Sequence, residues 1–237
     1  MGDAADRPTS GAPVEVEAFA PSARRSRRIV ERYAGVAVVV LLFVIFALLE
    51  PNTFPTYDNL VGVVGNSALG GIVALGLIAP LAAGVFDLSI AGVMTLSVVA
   101  VTYLFQSTHG SFPVWLACLV VLLGAVLVGL FNAFFVLRLR VEPFIATLGA
   151  SSVLVGASQL IGNGTTISNF IPESFTNFGR AEVAQIPIVV FIFLALAIVL
   201  WYVFTYTPFG TGMYATGAAR EAARLAGIRT NRIVAIG

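Results

Sequence analysis

The run NLVGVVGNSALGGIVALGLIAPLAAGVF at residues 59–86 contains no charged side chain and lies between Asp58 and Asp87. About 20 predominantly apolar residues are enough for an α-helix to cross the hydrocarbon core of a bilayer. We therefore predict a transmembrane helix within this run. Before its last turn the run is rich in glycine, at Gly62, Gly65, Gly70, Gly71 and Gly76. Small residues of this kind favour close contact with neighbouring helices over exposure to lipid.

The rest of the chain has the same character. Hydrophobic residues make up 58% of the sequence and charged residues only 11%, and the mean hydropathy is +0.96. So few charges cannot cover the surface of a soluble domain. Long uncharged runs alternate with short charged clusters, which predicts an all-α fold: a polytopic bundle of transmembrane helices in contact with membrane lipid. The net charge of +1 gives no indication of a nucleic-acid partner.

We predict six spans in this chain, and the arginines orient them. A cluster of arginines precedes the first apolar run, at Arg24, Arg25, Arg27, Arg28 and Arg32. Cytoplasmic loops carry an excess of Arg and Lys, so the N-terminus is expected in the cytoplasm. The spans fall at about 33–49, within 59–86, and at 88–105, 113–137, 144–161 and 187–206.

A second arginine cluster agrees with this count. Arg138 and Arg140 follow the fourth span, where an even number of crossings returns the chain to the cytoplasm. Residues 162–186 are then outside the membrane and residues 207–232 are cytoplasmic. Residues 1–28 lack apolar periodicity and are predicted to be a disordered cytoplasmic tail, and residues 29–237 form the transmembrane domain.

The cytoplasmic segment 207–232 reads TPFGTGMYATGAAREAARLAGIRTNR. Its central part, 217–227, has the pattern of a short amphipathic helix, which Thr216 would cap and Gly227 would end. One face would consist of small or apolar residues, namely Ala218, Ala222, Leu225 and Ala226, whereas Arg220, Glu221 and Arg224 point elsewhere. Spacing alone leaves two interpretations open: a helix that docks into a groove on a soluble partner, or a solvated loop helix.

Asp87 is the ionisable residue between the second and third predicted spans. A charge there costs several kcal/mol unless it is hydrated, paired or used as a cap. Asp87 or Ser89 could cap the third span, or this point could be a break in a helix that lines a pathway. Asn132 could equally form a hydrogen bond between helices or contact a substrate. Ser151, Ser152, Ser158 and Gln159 give the fifth span a polar side.

The sequence contains no set of residues for catalysis. It has no phosphate-binding G-x-x-x-x-G-K-[ST] loop, no His/Cys metal cluster and no histidine near a plausible Ser or Cys nucleophile. We therefore do not expect an enzyme.

Three separated motifs resemble bacterial ATP-binding-cassette importer permeases of the ribose/monosaccharide type. They are GVFDLSI at 84–90, the run RLRVEPFIATLG at 138–149 preceded by Asn132, and YATGAAREAARLAGI at 214–228. Five positions depart from the family pattern. Val85 and Ala133 replace glycines, and Ala219 replaces an asparagine. Ala226 stands where the family often has serine, and Thr211 where a basic residue is common. The resemblance extends over most of the chain after residue 54.

The resemblance implies roles for particular residues. The cytoplasmic segment would couple to an ATPase through Ala218, Glu221, Ala222, Ala223, Arg224, Leu225 and Gly227, and tryptophan at position 222 or 223 would clash with that partner. Candidates for the translocation path are Asp87, Ser89, Asn132, Phe144, Thr147 and Gln159.

The resemblance also implies an assembly in the bacterial plasma membrane. Two permease subunits, here expected to be a homodimer, would pair with two cytoplasmic ATPase subunits or one double ATPase. They would receive a small solute from an extracytoplasmic binding protein. ATP would be used by the partner subunits, and this chain would bind no cofactor directly. Monosaccharides such as ribose are the leading solute class, with autoinducers, nucleosides and branched-chain amino acids as alternatives.

Two other interpretations remain open at this point. The chain could be a truncated membrane subunit that only assembles with partners, or a secondary carrier, although a carrier should contain intramembrane charged pairs. Because the family continues through further spans after the coupling segment, we expect a fragment, a truncated gene product or an incomplete sequence.

Overall fold

The computed structural model describes the backbone of residues 21–237 and the side chains from residue 33 onward. Residues 1–20 of the predicted tail lie outside the described residues. The first helix, α1, is Pro21–Leu49, so it begins before the predicted end of the tail at residue 28. Its apolar part, Tyr33–Leu49, corresponds to the first predicted span and is shorter than the other apolar helices.

The chain after α1 turns back on the end of that helix. The backbone N–H of Phe54 donates to the carbonyl of Glu50 at 2.9 Å. The Phe54 ring then lies 5.4 Å from the ring of Phe43 and 5.3 Å from that of Phe46. The described part of the chain divides into two compact units, of which the first ends at residue 56 and the second comprises residues 57–237.

The second unit contains five helices that are long and apolar enough to cross a membrane. They are α2 (Tyr57–Ala82), α3 (Ser89–Ser107), α4 (Val114–Leu137), α5 (Pro143–Ile161) and α7 (Ile188–Tyr206). Large apolar side chains along them are exposed, such as Leu127 at 65% and Leu160 at 81%. The predicted all-α polytopic bundle is confirmed: the second to sixth predicted spans appear as long helices, and the first appears as the shorter apolar stretch of α1.

Short elements connect the long helices. Between α5 and α7 lie α6 (Glu173–Gly179) and two antiparallel strands, β1 (Glu182–Val183) and β2 (Ile186–Pro187). The two residues that join the strands, Ala184 and Gln185, both have left-handed backbones, with φ of 53° and 66°. After α7 come α8 (Pro208–Ala218), α9 (Arg220–Leu225) and α10 (Thr230–Ile236).

Glycines allow two pairs of long helices to approach closely. A Cβ on Gly92 of α3 would lie 2.8 Å from the carbonyl oxygen of Ser151 in α5, so no larger residue fits there without a shift. On α2, Gly65 faces Pro187 and Gly71 faces the ring of Phe193 in α7. The predicted close contacts of α2 are therefore confirmed at these two glycines. Gly62 and Gly70 have no such neighbour within 4 Å.

Two apolar clusters mark opposite ends of α3 and α4. One contains Val101, Phe105 and Ala117, with Ile171 and Phe175 packed against it; we call this the α6 end. The other contains Ala83, Phe204, Met213, Ile233 and Val234, with Leu137 packed against it; we call this the α8–α10 end. The α2–α3 and α4–α5 turns thus lie beside α8–α10.

Candidate functional site

A short chain of hydrogen bonds joins three of the predicted path residues near the α8–α10 end. The hydroxyl of Ser89 donates to Asp87 Oδ1 at 2.6 Å, and the backbone N–H of Ser89 donates to the same oxygen at 2.7 Å. The side-chain amide of Asn132 donates to the Ser89 hydroxyl at 2.8 Å. Ser89 and Asn132 are buried and Asp87 is half-buried. The N-cap position of α3 is Leu88, and the Asp87 carboxylate one residue before it satisfies the first N–H of the helix and begins a network that reaches α4.

Thr147 ties the first turn of α5 to the segment that precedes α3. The hydroxyl oxygen of Thr147 accepts the backbone N–H of Leu88 at 3.1 Å. The same hydroxyl lies 2.9 Å from the carbonyl of Pro143 and 3.3 Å from that of Phe86, to which it can donate. Thr147 is only 2% exposed. The backbone of the non-helical segment before α3 is thus held by a side chain from α5.

A cavity of about 120 Å³ adjoins these residues. It is lined by Asp87, Asn132 and Thr147 together with apolar residues of α2 and α4, and α10 contributes Val234, Ala235 and Ile236. The polar groups face a space large enough for ordered water. The site therefore has a carboxylate, an amide and a hydroxyl on one side and a helix of the α8–α10 end on the other.

Phe144 and Gln159 do not belong to this group. Phe144 is 47% exposed in the first turn of α5. Gln159 is exposed in the last turn, about 18 Å along the helix from Thr147 at 1.5 Å per residue. Two hydroxyls on the predicted polar side of α5 are bonded to the backbone of their own helix: Ser152 donates to the carbonyl of Leu148, and Ser158 donates to that of Val155.

The predicted helix at 217–227 is wrong in its boundaries. Two helices occupy this region, α8 and α9, and they are separated at Ala219, whose φ of −157° and ψ of 89° are not helical. Thr216 is not a cap: it is buried inside α8 and donates to the carbonyl of Gly212 at 2.7 Å. The cap of α8 is Thr207, whose hydroxyl accepts the N–H of Gly210. The expected end at Gly227 is confirmed, since its φ is 87° and it follows α9.

Most of the predicted coupling residues form an exposed surface. The four residues of the predicted face, Ala218, Ala222, Leu225 and Ala226, are exposed, and Leu225 reaches 85%. Glu221 and Arg224 form an exposed ion pair at 2.8 Å. Ala223 differs from the rest, because it is only 5% exposed and faces inward. Its carbonyl accepts the N–H of Ile228.

The sequence reasoning missed how this segment reaches the Asp87 network. A Cβ on Gly217 in α8 would collide with the carbonyl oxygen of Ala82 and would lie 3.0 Å from the N of Gly84. Gly84 ends α2 with a φ of 75°. The α8 backbone thus touches the turn that leads to Asp87. The two glycines were a signal, since glycine permits close backbone approach, but nothing in the sequence paired them.

Five apolar helices with exposed apolar side chains make this chain a multi-pass integral membrane protein. The family described as "Branched-chain amino acid transport system / permease component" matches residues 59–237, and the chain belongs to that family. In a bacterium this is a protein of the plasma (inner) membrane.

Several relatives are transport permeases. The chain is 27% identical to the ribose import permease protein RbsC of Haemophilus influenzae over 87% of this chain and 64% of the relative. It is 31% identical to the L-arabinose transport system permease protein AraH of Escherichia coli, over 85% of this chain and 60% of the relative. It is 28% identical to the autoinducer 2 import system permease protein LsrD of Escherichia coli, over 83% of this chain and 60% of the relative. The chain therefore spans less than two thirds of the length of these relatives, and no solved structure gives a significant match.

Proposed function

We propose that this chain is a membrane-spanning permease subunit of an ATP-binding-cassette importer. It would translocate a small solute, with a monosaccharide such as ribose as the leading class. The ribose and L-arabinose permeases among its relatives support that class. The autoinducer 2 permease supports a second solute, and the description of the family supports a branched-chain amino acid as a third.

The observation that carries this proposal is the contact between α8 and the turn before Asp87. In the proposed mechanism, an ATPase docks on the exposed face of Ala222 and Leu225. ATP-driven closure of the ATPases would then move α8–α10. Because Gly217 touches Gly84, that movement would reach the segment whose backbone Thr147 holds and whose carboxylate Asn132 reaches through Ser89.

The polar residues of the network suit a hydroxylated solute. A carboxylate and an amide oxygen accept hydrogen bonds from hydroxyl groups, and an amide N–H donates to them. In this mechanism Asp87, Ser89, Asn132 and Thr147 would line the path near the α8–α10 end. Phe144 and Gln159 would meet the solute separately, at the beginning and the end of α5.

The partners of the chain belong to the same proposal. A second permease subunit, two ATPase subunits or one double ATPase, and an extracytoplasmic binding protein would complete the importer. The ATPases would use ATP, and this chain would hold no cofactor of its own. With that arrangement the α8–α10 end faces the cytoplasm.

Uptake by the assembled importer tests the proposal. The complete gene product would be coexpressed with its ATPase and binding protein, and uptake of labelled ribose, L-arabinose, autoinducer 2 and leucine would be compared. We expect uptake of a sugar that stops when the ATPase carries a substitution that abolishes ATP hydrolysis. Uptake that continues with the inactive ATPase would indicate a secondary carrier. Assembly without uptake of any solute would indicate a subunit that serves assembly alone.

A further inference from the structure

The turn after α4 carries an arginine in a backbone conformation that favours glycine. Arg140 has a φ of 57°. The N–H of Val141, the next residue, donates to the carbonyl of Phe135 at 3.1 Å, so this turn is bonded back onto the end of α4. Glycine is the usual residue at such a position, because a side chain there is strained. An arginine thus occupies a position where the backbone conformation alone would favour glycine.

Arg140 belongs to a group of arginines that have no partner within the described part of the chain. The side chains of Arg138, Arg140, Arg229 and Arg232 are exposed and form no hydrogen bond or ion pair among the described residues. The other arginines of this end are engaged: Arg224 pairs with Glu221, and Arg220 donates to Asn231.

Packing brings the two halves of this group to the same end of the bundle. Leu137 packs against the cluster that contains Ile233 and Val234. Arg138 directly follows Leu137, and Arg232 directly precedes Ile233. Arg138 and Arg232 are therefore chain neighbours of residues that pack together at one helix contact. We call Arg138, Arg140, Arg229 and Arg232 the arginine rim.

Among the residues whose side chains the structure describes, no carboxylate forms an ion pair with the arginine rim. Glu142, in the same turn as Arg140, caps α5 by accepting the N–H of Ile145 at 3.2 Å. Glu221 is bound to Arg224. The rim therefore carries positive charge that no described carboxylate pairs with, and it can attract an anionic partner.

We propose that the arginine rim binds the headgroups of anionic phospholipids in the adjacent leaflet. The position of the rim favours lipid over a soluble protein. Arg138 follows the last residue of an apolar 24-residue helix, and so lies where the hydrocarbon core gives way to headgroups. Leu139, between the two arginines of the turn, is an apolar side chain that is 53% exposed, which suits an interface and not open water. Juxtamembrane arginines attract anionic lipid through their charge.

Binding of phosphatidylglycerol to the purified chain tests this inference without any transport assay. The full chain in neutral detergent would be titrated with phosphatidylglycerol and, separately, with phosphatidylcholine, and bound lipids would be counted by native mass spectrometry. We expect preferential binding of phosphatidylglycerol that weakens roughly fivefold for each rim arginine removed. Arg138→Gln and Arg140→Gln would be tested singly and together. Arg220→Gln, at the same end but outside the rim, is the matched control and should bind phosphatidylglycerol like the wild type.

Arg140→Gly separates a lipid role from a structural one. Glycine removes the charge and relieves the left-handed strain, so this variant should be at least as resistant to thermal unfolding as the wild type in phosphatidylcholine, yet should bind phosphatidylglycerol less tightly. The proposal is overturned if the double variant Arg138→Gln/Arg140→Gln keeps the wild-type preference for phosphatidylglycerol. If that variant also loses an ATPase partner on purification, the rim is assigned to a protein.

Discussion

Gly84 and Gly217 meet backbone to backbone, and a Cβ on Gly84 would lie 3.1 Å from the Cα of Gly217. One glycine ends α2 and the other lies in the last turn of α8. No side chain separates α8, the helix that precedes the proposed docking surface on α9, from the turn that leads to Asp87. A rigid contact of this kind transmits displacement because closely packed backbones cannot deform independently.

Replacing Gly217 with alanine should disrupt this contact. The added Cβ would meet the carbonyl of Ala82 and the N of Gly84, both of them backbone atoms that cannot rotate away. We expect a loss of stability of about 1–3 kcal/mol and a larger loss of transport than of membrane insertion. Thermal unfolding, monitored by size-exclusion chromatography after heating, would measure the loss of stability. Gly124→Ala, where a Cβ would meet nothing within 4 Å, is the matched control. Equal behaviour of the two variants would show that the contact is not tight.

Two substitutions of Asp87 should distinguish a cap from a path residue. Asparagine keeps an oxygen that can accept the N–H of Ser89, so Asp87→Asn should cost only a few tenths of a kcal/mol in stability, whereas Asp87→Ala should cost about 1 kcal/mol. If the carboxylate also serves the path, Asp87→Asn should reduce uptake although the protein is expressed normally. Wild-type uptake by the Asp87→Asn variant would reject a role for Asp87 in the translocation path and would leave only its role at the start of α3.

Tryptophan at positions 222 and 223 should have different effects. Ala222 is exposed, so Ala222→Trp should leave the isolated chain stable but prevent an ATPase from copurifying with it. Ala223 is 5% exposed, so Ala223→Trp should itself destabilise the chain by about 1–3 kcal/mol. This modifies the expectation from the sequence, in which both substitutions act on the partner. Normal copurification of the Ala222→Trp complex would mean that α9 is a solvated helix and not a docking surface.

The orientation of the bundle can be measured by cysteine labelling. Cys118 is exposed, so Cys118→Ser must form the background. Asn177→Cys, in α6, should react with a membrane-impermeant reagent from outside the cell, and Leu139→Cys, in the α4–α5 turn, should react only after permeabilisation. The structure supports opposite results because these positions belong to opposite ends of α4. The reverse pattern would invert the topology.

The long helices could be predicted from the sequence because each depends on its own composition. An uncharged run of sufficient length needs no information about its neighbours to form a helix in lipid. The third span illustrates this: it was expected to begin at about residue 88, and α3 begins at Ser89. The link between Asp87 and Ser89 was also accessible, because it joins residues two positions apart.

The parts that could not be predicted depend on contacts between distant residues. Nothing in the sequence indicates that Thr147 accepts the N–H of Leu88, or that Asn132 reaches the hydroxyl of Ser89. The break at Ala219 was missed for a related reason. Alanine has the highest intrinsic helix propensity, so the sequence gives no local reason to stop there. The contact of Gly217 with the end of α2 fixes α8, and the chain then turns before α9.

The left-handed pair Ala184–Gln185 has a practical consequence for work with this protein. Asn-Gly is the preferred sequence for a two-residue turn in which both residues have positive φ. Ala184 and Gln185 are therefore mildly strained in this turn and can be replaced readily. The loop is exposed, whereas Pro187 just beyond it packs on Gly65 and anchors the hairpin to α2. An epitope or a fluorescent label can therefore be grafted between these two residues through a flexible linker. Such a graft would report on the protein at the α6 end and leave the membrane helices and the arginine rim untouched.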